Sequence, residues 1–144
     1  MRFMIIVKAT KESEAGVMPD EKLVSDMATY HEELQKAGML LDGSGLQPSS
    51  KGWRIQYNSK GKRTVIDGPF TETKELVAGY TLIQAKSRQE ALEWTKRFPN
   101  PAIGGKDGEI EVRQLFELED FEPALGMKSE AVERFREMGI GVKK

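Results

Sequence analysis

Few side chains in this chain could do chemistry, because it carries one histidine and no cysteine. His31 is the only group whose unperturbed pKa lies near neutrality. On a helical wheel it sits beside Val24, at the margin of a stripe made by Leu23, Met27 and Leu34. That position suits either a half-buried packing histidine or a general base at a cleft edge. One histidine makes no histidine-based metal site, and no metal is expected. The second candidate acid or base is Asp67, which opens the turn Asp67-Gly68-Pro69-Phe70. Either its carboxylate caps the turn's own N–H groups, or it works as a general base or ligand anchor, raised in pKa if Phe70 shields it from water. Gly68 and Pro69 shape the backbone in both cases.

The turn runs into Thr71-Glu72-Thr73-Lys74-Glu75, five polar residues that abut an apolar stretch. A hairpin turn needs fewer. The cluster is either a solvated connector or the rim of a pocket built by Glu72, Lys74 and Glu75. Strand alternation would put Glu72 with Lys74, whereas a short helical turn would put Glu72 with Glu75. Near the C-terminal end, Ile110 and Val112 point one way in an alternating strand, so Glu111 and Arg113 point the other. Arg113 then either pairs with a glutamate or holds a small carboxylate or enolate in its planar fork. Arg54, which alternates away from Trp53, Ile55 and Tyr57, is a weaker binding candidate.

Several elements must position these groups. Phe3 to Val7 is a continuous apolar run, the mark of a strand covered on both faces. After Pro19-Asp20, Leu23, Met27, Tyr30, Leu34 and Ala37 recur at helical spacing, with Gly38 as the stop. A short extended segment from Met39 leads into the loop DGSGLQPSSKG. Trp53 to Tyr57 and Arg63 to Ile66 form a hairpin about Asn58-Ser59-Lys60-Gly61. Leu76 to Ile83 reads as a strand, and Ser87-Arg88-Gln89-Glu90 as a capping box that opens a second helix, ended at Phe98-Pro99. Glu109 to Phe116 is the last strand. Residues 1–121 make one domain, and 122–144 a tail with a short helix around Ser129 to Met138. With right-handed crossovers the order is a ferredoxin-like α+β sandwich, βαββαβ with an added hairpin. Two helices cover one sheet face, and a homodimer with sheets face to face is expected to cover the other.

The chain has 144 residues, enough to bury a core without metal or disulfide help. With 22 Lys+Arg against 23 Asp+Glu the formal charge is −1, which disfavours nucleic acid and anionic membranes as partners. Absence of cysteine removes thiol nucleophiles and thiolate metal sites. The N-terminal apolar run is too short for a signal or a membrane span, so a cytoplasmic protein is expected. Neither Gly43-Ser44-Gly45 nor Gly139-Ile140-Gly141 has the strand-to-helix setting of a phosphate loop, and no cofactor is implied.

The block DGPFTETKE at 67–75 resembles the DGPFAETKE block of the YCII-related (DGPF) family of small bacterial proteins, with Thr71 where alanine is usual. Tyr30-His31-Glu32-Glu33-Leu34 with Ala37-Gly38, Gly45-Leu46-Gln47-Pro48-Ser49, and Glu111-Val112-Arg113 extend the likeness to about Phe121. The resemblance implies a dimeric α/β barrel. Some members sit beside alternative sigma factors, and a related branch contains enzymes of aromatic-compound breakdown such as a dehydrochlorinase. That branch uses a histidine early in the first helix with an aspartate partner; the comparable place here falls near Met27, whose thioether cannot transfer a proton.

Two readings follow. In one, the protein binds a small anionic or aromatic metabolite and transfers a proton through Asp67 or His31, as a cofactor-free lyase, isomerase or dehydrochlorinase-like enzyme. In the other it is a non-catalytic sensing or partner-binding module. An enzyme needs Asp67 or His31 to share one cleft with Arg113.

Overall fold

The computed structural model describes residues 1–125 and 129–142. Its first strand, β1, spans Arg2–Lys8 as the apolar run predicts. A one-turn helix, α1 (Lys11–Glu14), follows in what the sequence suggests is only a loop. It is held by a capping box in which Thr10 Oγ1 accepts from the Ser13 N–H and Ser13 Oγ from the Thr10 N–H. Helix α2 (Glu21–Lys36) starts at Asp20, whose side chain accepts from the Leu23 N–H, and ends before Gly38, which takes a left-handed φ of 72°. Strand β2 runs Leu40–Gly45, further into the Gly/Ser stretch than its composition predicts. The hairpin is β3 (Trp53–Tyr57) and β4 (Arg63–Asp67). Strand β5 (Val77–Gln84), helix α3 (Arg88–Thr95) and strand β6 (Ile110–Gln114) complete the domain. Ser87 caps α3 by accepting from the Glu90 N–H.

Four strands form one antiparallel sheet in the order β2-β5-β1-β6. Strands β1 and β2 flank β5 and β5 and β6 flank β1, as two interleaved βαβ units require. This order fits the ferredoxin-like α+β expectation. The sheet is open and does not close into a barrel within one chain; the hairpin is a separate two-stranded sheet.

Register fixes the two faces. Phe3 pairs with Ile83, Ile5 with Thr81 and Val112, and these positions meet the helices. The core joins Phe3, Ile5 and Ile83 to Tyr30, Leu34, Met39, Ala85 and Ala91, with Ile110 and Val112 packed against it. Met4, Ile6, Tyr80 and Leu82 lie on the opposite face and are half-buried, so β1 is fully covered on one side only.

Two further helices, α4 (Leu118–Leu125) and α5 (Glu130–Glu137), pack on each other. α4 crosses the expected domain boundary at residue 121, and α5 matches the expected tail helix, capped by Ser129. Part of the tail, residues 126–128 and 143–144, lies outside the described residues. No helix among the described residues is long and apolar enough to cross a membrane.

Tyr30 joins α2 to α3: its hydroxyl donates to the Trp94 carbonyl at 2.8 Å and its ring meets Phe98 edge-on. Burial pushes the phenol up to about 12 from an ordinary 10. A raised folded-state pKa gives stability that is fully present below the unfolded value and is lost as pH rises through the folded one. Alkaline unfolding should therefore steepen from pH 10 towards about 12. Tyr30→Phe should remove that component in a pH series of urea melts, and an unchanged slope would refute the assignment.

Candidate functional site

The turn after the hairpin is held by backbone. The Gly68 N–H donates to the Gly52 carbonyl at 3.0 Å, and Gly68 to Pro69 is a cis peptide. One residue on, the Phe70 N–H donates to Ser49 Oγ at 2.9 Å. The Ser49 N–H donates to Glu14 Oε2 at 2.9 Å, and its hydroxyl donates to Glu14 Oε1. Three distant segments meet here: the end of α1, the loop after β2 and the turn after β4. Glu14 is half-buried, and both its oxygens accept bonds, the arrangement a charge needs away from bulk water.

This clasp forms one end of an open cleft of about 430 Å³. Its apolar walls are Leu46, Pro48, Trp53, Phe70, Leu76 and Val77. Its polar groups include Glu14, Ser49, Lys51 and Arg54. Glu14 and Ser49 are occupied by each other. The Arg54 guanidinium carbon lies 3.7 Å over the centroid of the Phe70 ring, a cation–π contact. Arg54 is exposed and lines the cleft, and among the described residues it has neither a carboxylate partner nor a hydrogen-bonded side chain.

The residues singled out by sequence do not converge. His31 is on the helix-covered side of the sheet: Nε2 is 2.8 Å from Thr81 Oγ1 and Nδ1 is 2.7 Å from the Met27 carbonyl. A carbonyl only accepts, so Nδ1 carries the proton, and in the neutral ring Nε2 accepts from the Thr81 hydroxyl. Both nitrogens are used, and Tyr30 and Phe98 pack edge-on against the ring. Asp67 is exposed at the hairpin base, opposite Trp53 in the ladder. Among the described residues its carboxylate takes no hydrogen bond, so the clasp is made by backbone and Ser49 rather than by an aspartate cap.

Arg113 pairs with Met4 and Glu111 with Ile6, which puts both on the uncovered sheet face. There Arg113 Nη1 donates to Glu111 Oε2 at 3.2 Å, and Lys8 lies 3.7 Å from the other carboxylate oxygen. The ion-pair alternative is the one found. Glu72, Lys74 and Glu75 are exposed and do not line the cleft; Thr73–Glu75 is a short 3-10 turn, and Thr71 Oγ1 donates to Glu72. The rim is therefore built by Phe70 and Arg54, next to the polar cluster rather than from it. On the same open face as Arg113, the Tyr80 hydroxyl donates to Asp42 Oδ2 at 3.0 Å, and that bond holds the phenol above its ordinary pKa.

Sequence reading missed Glu14, Ser49 and the walls Trp53 and Phe70 as parts of one site. The available signal was Thr10-x-x-Ser13, which starts a helix and thereby fixes Glu14 at its end. Among the described residues no group of three or more His, Cys, Asp or Glu side chains is placed to hold a metal.

Comparison with known proteins places the chain in a family. An uncharacterised protein of Rhizobium meliloti (strain 1021) is 33% identical over 96 residues, covering 67% of this chain and 75% of the relative. The family model described as the YCII-related domain matches residues 1–119, from the start of β1 into α4. That match takes in the whole sheet, the hairpin and the cleft, and the chain belongs to the YCII-related domain family.

Proposed function

We propose that the protein is a homodimeric binding module for a small organic anion with a flat apolar body, taken up in the cleft beside the Phe70 turn. One observation carries this reading: Arg54, exposed and stacked on Phe70, lines a cleft with apolar walls, and its donors have no carboxylate partner among the described residues. A guanidinium fixed in this way is pre-organised for bidentate contact with a carboxylate, and Trp53 and Phe70 offer flat surfaces to the rest of the ligand. Lys51 adds positive charge at the same cleft. The separate locations of His31, Asp67 and Arg113 favour binding over acid–base turnover. The homodimer is supported by the uncovered sheet face, where Met4, Ile6, Tyr80 and Leu82 make an apolar strip that a second sheet would cover. Two such sheets face to face would complete a dimeric α/β barrel.

The test is a thermal-shift screen of aromatic and aliphatic carboxylic acids on the wild type, Arg54→Ala and Arg113→Ala. A ligand at a hundred times its Kd stabilises the native state by about 2.7 kcal/mol, a shift of several degrees in a domain of this size. The shift should vanish in Arg54→Ala and survive in Arg113→Ala. Acids that still stabilise Arg54→Ala would move the site elsewhere, and loss confined to Arg113→Ala would place it on the open sheet face.

A further inference from the structure

Strands β3 and β4 form a two-stranded ribbon whose two faces differ. Arg54, Gln56, Thr64 and Ile66 share one face, and Trp53, Ile55, Tyr57 and Val65 share the other with Arg63 and Asp67. The four apolar residues of the second face are 65%, 44%, 65% and 63% exposed. A hairpin on its own is marginal in water, and a contiguous apolar face on one needs a cover.

Charge on this face points to what covers it. Arg63 stands beside Tyr57 at the tip, with its guanidinium carbon 5.1 Å from that ring, and Asp67 stands beside Trp53 at the base. Both are exposed, and among the described residues neither has an oppositely charged partner. The ribbon thus carries one cation and one anion at opposite ends of the same strand, with an apolar centre at the Ile55–Val65 pair.

A two-fold axis crossing the strands at that central pair makes the face complementary to itself. It lays the tip of one ribbon over the base of another, Ile55 over Ile55, Val65 over Val65, and Tyr57 over Trp53. Each Arg63 then meets the other copy's Asp67, and the ion pair occurs twice. We infer that the exposed face of the hairpin is an interface with a second copy of this chain, packed head to tail about this axis. The contact gives Asp67 a role that its own chain does not. It shares Trp53 with the cleft but involves residues other than those of the open sheet face, so the two self-contacts can be told apart.

The experiment is sedimentation velocity of the full chain over a concentration series. Arg63→Asp and Asp67→Arg should each weaken association at least tenfold, because each puts like charges together twice per contact. The double variant Arg63→Asp/Asp67→Arg should restore it, since the swapped charges again meet their opposites. Leu82→Glu serves as the probe of the sheet face. If the single swaps leave association unchanged, if the double variant fails to recover, or if the wild type is a monomer throughout, the hairpin interface is wrong. Loss of association in Leu82→Glu alone would leave the sheet contact standing and remove this one. A second readout uses the absence of cysteine: Ile55→Cys supplies a unique thiol near the axis. Packed sheets lie about 10 Å apart, so a bis-maleimide of that span should link Ile55→Cys into dimers. Thr64→Cys, on the opposite ribbon face, should link far more slowly, and equal linking of the two would overturn the proposal.

Discussion

Gly68→Ala is expected to lower the stability of the protein by about 3 kcal/mol, at the upper end of what an extra methyl group costs in a packed site. A Cβ at residue 68 would sit 1.9 Å from the Ser49 carbonyl oxygen, 2.7 Å from the carbon of that carbonyl and 3.4 Å from the Gly52 oxygen. The obstacle is main chain, so no rotamer change relieves it. The turn would have to lift from the loop after β2, which gives up the bond from Gly68 to Gly52 and the bond from Phe70 to Ser49. Gly52→Ala is the matched control: its nearest neighbour would be 3.7 Å away and its φ of −121° suits any residue, so a change within about 1 kcal/mol is expected. Urea melts of both variants decide the matter. Because Phe70 carries the ring under Arg54, Gly68→Ala should also abolish any acid-induced thermal shift. A midpoint equal to that of the wild type would mean that the glycine is there for some reason other than close approach.

The clasp explains why the fold was more legible in the sequence than the site. Period-two alternation and helical spacing place β1, α2, the hairpin, β5, α3 and β6 within a residue or two, because the pattern is local to each element; all of them but the exposed hairpin also bury one face of their own. Strand β2 is different. Asp42-Gly43-Ser44-Gly45 has little strand propensity and is extended because β5 pairs with it. Gly79 and Gly45 face each other there, and a Cβ on Gly79 would stand 2.9 Å from the Ser44 oxygen, so the close approach itself selects glycine. Pro123 argues against helix continuation in sequence, yet α4 runs through it. The site was hidden for a related reason. Glu14, Ser49 and Phe70 are separated by 35 and 21 residues along the chain, and no local pattern brings them together. His31 stands out as the sole histidine, but its hydrogen-bond partner Thr81 lies 50 residues away across the core. The polar cluster at 71–75 reads in sequence equally as a connector or as a rim; it adjoins the cleft, while the lining includes Phe70 and Arg54.

The second large effect is expected at Arg2. Its Nε and Nη2 donate to the two oxygens of Glu117 at 3.1 and 3.0 Å, a bidentate pair whose side chains are 7% and 17% exposed. The pair ties the first residue of β1 to the segment that leads into α4, next to the bond from the Leu115 N–H to the Arg2 carbonyl. Removing one member leaves the other charge without its partner in a place from which water is largely excluded. Glu117→Gln should therefore cost about 3 kcal/mol, and Arg2→Met a similar amount. The double variant Arg2→Met/Glu117→Gln removes both charges together, so it should recover much of the loss. A double-mutant cycle in urea would then give a coupling of about 2 kcal/mol or more. Salt should change it little, because a pair this buried is poorly screened. A cost below about 1 kcal/mol for Glu117→Gln would show that the pair is open to water in solution, as surface pairs are. The C-terminal helices would then be only loosely docked on β1. With the expected cost, Arg2 and Glu117 join the two ends of the folded domain, and the sheet that carries the cleft depends for part of its stability on residues at its C-terminal margin.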